Sequence, residues 1–327
     1  LHALLTVPIQ EARTMTPFIR AAEIWLPSED QALLVFGGGL FGEALNFAAT
    51  SRTMCFARAE GLPGQVWDQG RPILLKQLEG SDFRRSGAAK LAGLGCAAAM
   101  PFFVGDRLTA VLVLFGGESP AFTGAFELWR NDPRVSSDMT LDEGSYGDTG
   151  EAFEQLSRDT FLPRGVGLPG LAWQKEEAVI MASLGEGTRF LRGDAASDAG
   201  ICRGLAMPCS STGLTRYVLA FLSGQGNPIA KRMERWVLDR PADTLRRAGG
   251  HCETAGELAG VAATVRLGAA QGFLGDAIGT ASPRLCAKAQ AEDGPLGEGA
   301  RASGAERLIV IPIISEDQAN EAVVLYL

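Results

Sequence analysis

Apolar and polar residues alternate along Ala22-Glu-Ile-Trp-Leu26, the pattern of a strand with one buried face. Pro27–Asp30 reads as a turn and Gln31–Phe36 as the returning arm of a hairpin, broken by the glycines at 37–39. Pro63 and Gly64 open a short helix through Trp67, since proline is tolerated in a first helical turn, and Gly70 stops it. Ile73–Leu75 is strand-like, Phe83–Ala92 helical and closed by Gly93. Ala97–Phe103 and Leu108–Phe115 are apolar runs of strand length around a turn at Gly105-Asp106. Hairpin, helix, strand, helix, hairpin predicts an α+β unit: an antiparallel sheet covered by short helices and loops.

That unit is written three times. Gly61-Leu-Pro-Gly64 recurs as Gly167-Leu-Pro-Gly170 and, altered, as Gly272-Phe-Leu-Gly275. Trp25, Trp129 and Trp236 precede the motif in turn, and Pro101, Pro208 and Pro312 follow it. A step of about a hundred residues is far longer than the roughly 20–50 of solenoid repeats, so each unit is expected to carry its own core. The expected organisation is an N-terminal segment 1–19 and units 20–118, 119–226 and 227–327, joined by exposed linkers at 116–122 and 223–227.

Within the first unit, Phe56-x-Arg58, Gly61–Gly64, Val66-Trp67, Gly70-x-Pro72, Asp82-Phe83, Gly93-Leu94 and Pro101 fall in an order that resembles the GAF domain, nearest to those of bacterial sensor kinases. The second unit repeats Phe161, Gly167–Gly170, Trp173, Phe190 and Pro208, and the third is the most degenerate. The resemblance implies three tandem GAF-like domains in a sensory or regulatory protein that binds an unknown small molecule, a signalling partner or a second copy of itself. It implies a pocket between sheet and covering loops. In the first unit Phe56, Arg58, Trp67, Phe83 and Arg84 would shape that pocket, with Cys96, Ala98 and Met100 as its floor; Phe161, Trp173 and Phe190 are the counterparts in the second. The joins leave no room for the long helices through which such domains often dimerise. The third unit is expected to serve structure, because Gly294, Pro295, Gly297 and Gly299 disfavour a helix there.

Composition narrows the alternatives. The 327 residues are 46% hydrophobic with a net charge of −8, so no basic field invites nucleic acid or an anionic membrane. The cluster Lys231, Arg232, Arg235, Arg240, Arg246 and Arg247 is interrupted by acids and reads as a solvated face, and Asp138–Asp148 as a solvated loop without calcium-loop spacing. Leu1–Ile9 lacks the basic flank of a signal peptide, and six cysteines without a CxxC suit a reducing cytoplasm.

Enzymatic chemistry finds little support. Gly165-Val-Gly167-Leu-Pro-Gly170 fits a dinucleotide fingerprint, but no βαβ unit surrounds it and the first unit has Ala59 at the first glycine. Two histidines, His2 and His251, exclude a His-rich metal site, and no metal or other cofactor is expected. His251-Cys252 reads as a solvated pair in a glycine-rich loop. One GAF family reduces free methionine sulfoxide with pocket cysteines, which makes Cys202 and Cys209 the enzymatic alternative. Their spacing of seven puts them on opposite faces of one strand, too far apart for a disulfide. A non-enzymatic regulatory protein is the first expectation, and a scaffold whose pockets are filled by side chains the competing one.

Overall fold

The computed structural model describes residues 15–118, 122–185, 190–258 and 265–327. The first copy contributes β1 (Ile19–Pro27), β2 (Leu33–Leu40), β3 (Cys55–Ala57), β4 (Ile73–Leu75), β5 (Leu94–Val104) and β6 (Arg107–Gly117). The second contributes β7 (Gly124–Asn131), β8 (Met139–Tyr146), β9 (Phe161–Leu162), β10 (Val179–Met181), β11 (Ile201–Cys209) and β12 (Arg216–Gly224). The third has β13 (Arg232–Asp239), β14 (Thr244–Cys252), β15 (Gly256–Glu257), β16 (Arg266–Gly268), β17 (Arg284–Cys286), β18 (Leu308–Ser315) and β19 (Gln318–Tyr326). Each copy forms one antiparallel sheet in the same order: β3-β2-β1-β6-β5-β4, then β9-β8-β7-β12-β11-β10, then β15-β14-β13-β19-β18-β17 with β16 also on β14. The first strand therefore lies in mid-sheet beside the last.

The repeated glycine motif is explained by backbone geometry. Its first glycine takes φ of +57°, +68° and +59° at Gly61, Gly167 and Gly272, the left-handed region that side chains rarely adopt. Its last glycine packs the helix that follows against its own entry loop. A Cβ on Gly64 would lie 2.1 Å from the Ala57 carbonyl oxygen, one on Gly170 2.6 Å from that of Pro163, and one on Gly275 2.4 Å from the Ala270 carbonyl carbon. The resulting motif helices are Gly61–Gln69, Gly167–Lys175 and Gly272–Thr280. In the second copy the fingerprint-like loop thus packs a helix on its entry strand.

Each sheet is buried on both faces, and this departs from three independent cores. One face of each holds its own helices. In the first copy Ala21, Trp25, Ala97, Ala99, Val111, Val113 and Phe115 point to that side. The alternate residues of all three sheets meet in a single shared core, among them Met100 and Leu114, Phe126 and Phe221, and Ile311 and Leu325. β5, β11 and β18, one from each copy, touch pairwise around its centre. The joins are drawn into this core: Phe18 stacks on Phe122 with ring centroids 5.6 Å apart, and Gly116, Gly117, Ser223 and Gly224 are buried. Of the expected linkers only Glu118, Gln225 and Gly226 are exposed; 119–121 lie outside the described residues, as do 1–14 of the N-terminal segment.

The copies close head to tail into a ring. The end of each motif helix meets the last hairpin of the following copy. Thr212 N donates to Gly70 O at 2.8 Å, Ser315 Oγ to Glu176 Oε2 at 2.5 Å, and Thr109 Oγ1 to Ala281 O at 2.6 Å. Three heterologous contacts at corresponding places, the last returning to the first copy, are the geometry of a closed three-membered ring, here within one chain.

Several local expectations are corrected. The glycines at 37–39 continue β2, where Gly39 lies beneath the Phe41 ring. The helix expected over 83–92 spans Ser86–Leu91, because Phe83–Arg85 form the turn that enters it. The acidic stretch is β8, with Asp142 paired to Arg71 and Arg130. His251 and Cys252 end β14 and are buried. A helix does form over Gly294–Ser303. Pro295 sits in its first turn, where it costs little, and Gly297 and Gly299 admit the Glu292 carbonyl oxygen and the Tyr326 hydroxyl, 1.7 and 2.8 Å from where a Cβ would be. Among the described residues no helix is long and apolar enough to cross a membrane.

Two predictions follow from this packing. Gly64→Ala should lower stability by about 1–3 kcal/mol in urea denaturation, as overpacking against backbone does. Gly87→Ala, inside a helix with open space around it, should be neutral or stabilising by up to about 1 kcal/mol. The second concerns Glu321, buried at the joint of the second and third copies. Burial pushes its carboxyl up to about 7 even though Arg235 and the Ala178 N–H bond it, each at 2.9 Å, with Glu177 adding repulsion. The folded state therefore holds this proton after the unfolded chain has lost it. The stability it contributes is complete below about pH 4.5 and is lost as pH rises to about 7, some 3 kcal/mol over that window. Glu321→Gln should flatten that part of the stability–pH curve.

Candidate functional site

The alternation that turns Trp25 toward the helices turns Glu23 there too. Glu23 is fully buried in mid-sheet, where an unpaired carboxylate would cost several kcal/mol. Arg85, from the turn before Ser86, neutralises it. Its Nη2 donates to Glu23 Oε2 at 2.9 Å, and its Nη1 bonds both Glu23 Oε1 and Ser51 Oγ. Trp25 Nε1 donates to the same carboxylate at 3.1 Å. The guanidinium is enclosed by aromatic faces, 4.6 Å from the Phe47 centroid and 5.0 Å from that of Phe83.

The second copy builds the same network. Arg192 Nη1 and Nη2 donate to Glu127 Oε1 and Oε2 at 2.5 and 2.8 Å, Trp129 Nε1 to Oε2 at 2.9 Å, and Arg192 reaches Ser157 Oγ at 2.5 Å. Tyr146 adds its hydroxyl to Glu127 at 2.9 Å. Burial alone would raise the Glu127 carboxyl, but the Arg192 charge and these hydrogen bonds hold it below its ordinary value. Burial and then the Glu127 charge push the Tyr146 phenol far up, so it stays a donor.

The third copy keeps the carboxylate and changes its partners. Glu234 accepts from Arg232 Nε and Arg247 Nη1, each at 2.8 Å, from Trp236 Nε1 at 2.9 Å and from the Tyr326 hydroxyl at 2.8 Å. Both arginines come from strands. Arg232 and Arg247 are thus interior groups, which corrects the reading of the basic cluster as a solvated face.

The network occupies the space in which a pocket was expected. Phe56 and Phe83 are buried beside it, Phe56 edge-on to Trp25 at 4.7 Å, and Phe190 is buried with the Arg192 guanidinium 5.0 Å from its ring. Trp67 and Trp173 sit half-buried at the rim, each beneath an arginine, Arg58 or Arg164, at 5.7 Å. Arg58 pairs with Asp68 and Arg84 with Glu60 on the surface. Cys96, Ala98 and Met100 are corrected in place: they point into the shared core, and the helix side of β5 carries Ala97 and Ala99 instead, one residue out of phase. Phe161 is 61% exposed, at the sheet edge. A crevice of about 290 Å³ remains under the loop before Phe83, lined by Leu62, Gln65 and Ser81.

The residues at the centre of each copy were not singled out from the chain, though two signals were present. A glutamate stands two residues before every landmark tryptophan, and an arginine two residues after Phe83 and Phe190. With Glu23 intact, Arg85→Met should cost about 3–5 kcal/mol in urea denaturation, because it strands a buried carboxylate. Glu23→Gln with Arg85→Met should restore most of that, since the amide still accepts from Trp25. A double variant no more stable than the single one would contradict this assignment.

Residues 1–129 match the family model GAF_2, a GAF domain. No curated protein matches the sequence. Among solved structures the chain is similar to the GAF domain of A. aeolicus nlh2 in an inactive state, at 22% identity over 31% of this chain and 59% of that one, with a TM-score of 0.26. It is also similar to an NreA protein of Staphylococcus aureus mutated in its nitrate-binding site, at 18% identity over 34% and 80%, TM-score 0.27. A third is the free methionine-R-sulfoxide reductase of Neisseria meningitidis in complex with its substrate, at 20% identity over 31% and 52%, TM-score 0.24. The chain spans about three fifths of the length of the first of these. With a GAF-domain match over residues 1–129, and the same sheet order, glycine-motif helix and buried glutamate in all three copies, the chain is built of three tandem GAF-like repeats.

Proposed function

We propose that this protein is a non-enzymatic regulatory scaffold whose GAF-like repeats are filled by their own side chains. The observation that carries this reading is the position of Arg85 and Arg192. Each guanidinium, with its glutamate and aromatic neighbours, takes up the interior between sheet and helices. The crevice left in the first copy, at about 290 Å³, lies at the small end of the roughly 300–1,000 Å³ of ordinary small-molecule sites. Small-molecule sensing inside a repeat is the second reading, and that crevice, lined in part by Phe83, is what favours it.

Thiol redox chemistry is the weakest of the three. Burial pushes the Cys96 thiol up to about 11 and the Cys209 thiol up to about 12, and raises Cys202 and Cys286 as well, so none of these four is poised as a thiolate. The six cysteines form no disulfide.

Calorimetric titration with cyclic nucleotides, free amino acids and methionine sulfoxide tests the scaffold reading. The expected result is no saturable binding that depends on Trp67 or Trp173. A ligand whose affinity falls tenfold or more in Trp67→Ala or Trp173→Ala would establish the sensing reading instead. Reduction of methionine sulfoxide by a dithiol, lost in Cys202→Ser or Cys209→Ser, would establish the enzyme.

A further inference from the structure

The three joints of the ring are sealed unequally. Between the first and second copies, the six-residue turn 210–215 folds over the helix end, and Thr212 Oγ1 lies 2.0 Å from where Gly70 would carry a Cβ. Between the second and third, the turn is only Glu316-Asp317, but Glu176 is long enough to reach Ser315. Between the third and first, the turn is again two residues, Gly105-Asp106, and the helix-end residue is Ala281, whose methyl reaches nothing comparable. Thr109 bonds the Ala281 carbonyl at one side, and a cleft of about 1090 Å³ is left open.

The chemistry of this cleft is uneven in a way that points to a ligand. Arg107, Arg240 and Arg284 line it. Among the described residues no carboxylate pairs with any of the three. Arg240 bonds the amide oxygens of Gln318 and Asn320, Arg284 bonds Thr280 and the Pro283 carbonyl, and Arg107 makes no side-chain bond among the described residues. In a chain of net charge −8 that is a local excess of positive charge, only partly offset by Glu29 and Asp317 on the same wall. Ser282, also lining the cleft, is 4% exposed, and its buried hydroxyl has no hydrogen-bond partner among the described residues. An unbonded buried hydroxyl costs about 1–3 kcal/mol, which a bound polar group would remove. Leu26, Pro27, Leu238 and Ile278 give the cleft an apolar patch beside polar residues such as Gln31 and Gln318.

We propose that the cleft between the third and first copies binds a small organic anion: a carboxylate or phosphate facing the arginines and Ser282, with an apolar body against Pro27, Leu238 and Ile278. Guanidinium groups suit either anion, through charge-assisted hydrogen bonds. The site belongs to the ring and not to any one repeat, so it stands whether or not the interiors of the repeats are closed.

Calorimetric titration of the full chain with phenyl phosphate tests it. Benzyl alcohol and inorganic phosphate serve as comparisons. Saturable one-to-one binding of phenyl phosphate is expected, weakened about tenfold or more by Arg107→Gln and measurably by Ser282→Ala, with benzyl alcohol silent. Inorganic phosphate is expected to bind more weakly than phenyl phosphate. Arg107 is an exposed side chain, so its removal leaves folding intact; melting curves of both variants check this. Absence of saturable binding, or equal affinity in Arg107→Gln, would refute the site. Equal affinity for inorganic phosphate would refute its apolar half. Loss of binding in Gln65→Ala, with Arg107→Gln unaffected, would move the ligand to the crevice of the first copy and refute it too.

Discussion

A carboxylate buried in mid-sheet sets the terms for each repeat. Its desolvation is a penalty that folding must offset, and the only adequate compensation is a cation and several hydrogen bonds brought to the same place. In the first two copies the cation arrives on the turn before a helix, so the ion pair pins that turn and the helix after it to the sheet. In the third copy it arrives from the strands themselves, and a tyrosine of β19 completes the shell. That the supporting set is exchanged in the third copy while the glutamate and its tryptophan stay identifies that pair as the fixed element. The helix over Gly294–Ser303 fits the same logic: Gly299 leaves the room that brings the Tyr326 hydroxyl to Glu234.

The second constraint is burial of both faces of every sheet. Once the helices cover one face, the apolar residues of opposite phase need a partner, and each sheet finds it in the other two. Three curled sheets placed back to back enclose one core only if their contacts turn by the same angle each time, and repeated units with repeated contacts do so. The shared core therefore explains why copies joined by a few residues need no connecting helices. Phe18 and Phe122 stack where β1 and β7 begin.

Much of one repeat could be read from the chain. Alternation at Ala22–Leu26 and the apolar runs before and after Gly105 placed β1, β5 and β6, and the glycine motif placed the helix. What could not be read was anything decided between distant residues. Cys96, Ala98 and Met100 are as apolar as Ala97 and Ala99, and when both faces are buried the pattern holds no phase from which to tell pocket from shared core. The acidic residues of β8 concealed a strand because their partners, Arg71 and Arg130, are supplied by other elements. Glycines in Gly294–Ser303 argued against a helix on intrinsic preference, yet close approach to a carbonyl and a phenol required them there.

These two constraints also decide where a GAF-like ring can respond to anything. The interior of a repeat is bonded on every side by its ion pair, and the back of its sheet is held in the shared core. Both resist adjustment, because a packed core transmits small displacements rather than absorbing them. The joints are different. Each rests on a helix end and a hairpin tip, a handful of polar contacts whose partners differ from one joint to the next: Gly70 with Thr212, Glu176 with Ser315, Ala281 with Thr109. The joint between the third and first copies is the one beside the large cleft lined by Arg107, Arg240 and Arg284. That joint abuts β5 and β6 of the first copy, which reach the shared core, and the motif helix of the third, which packs on the helix side of β18 and β19.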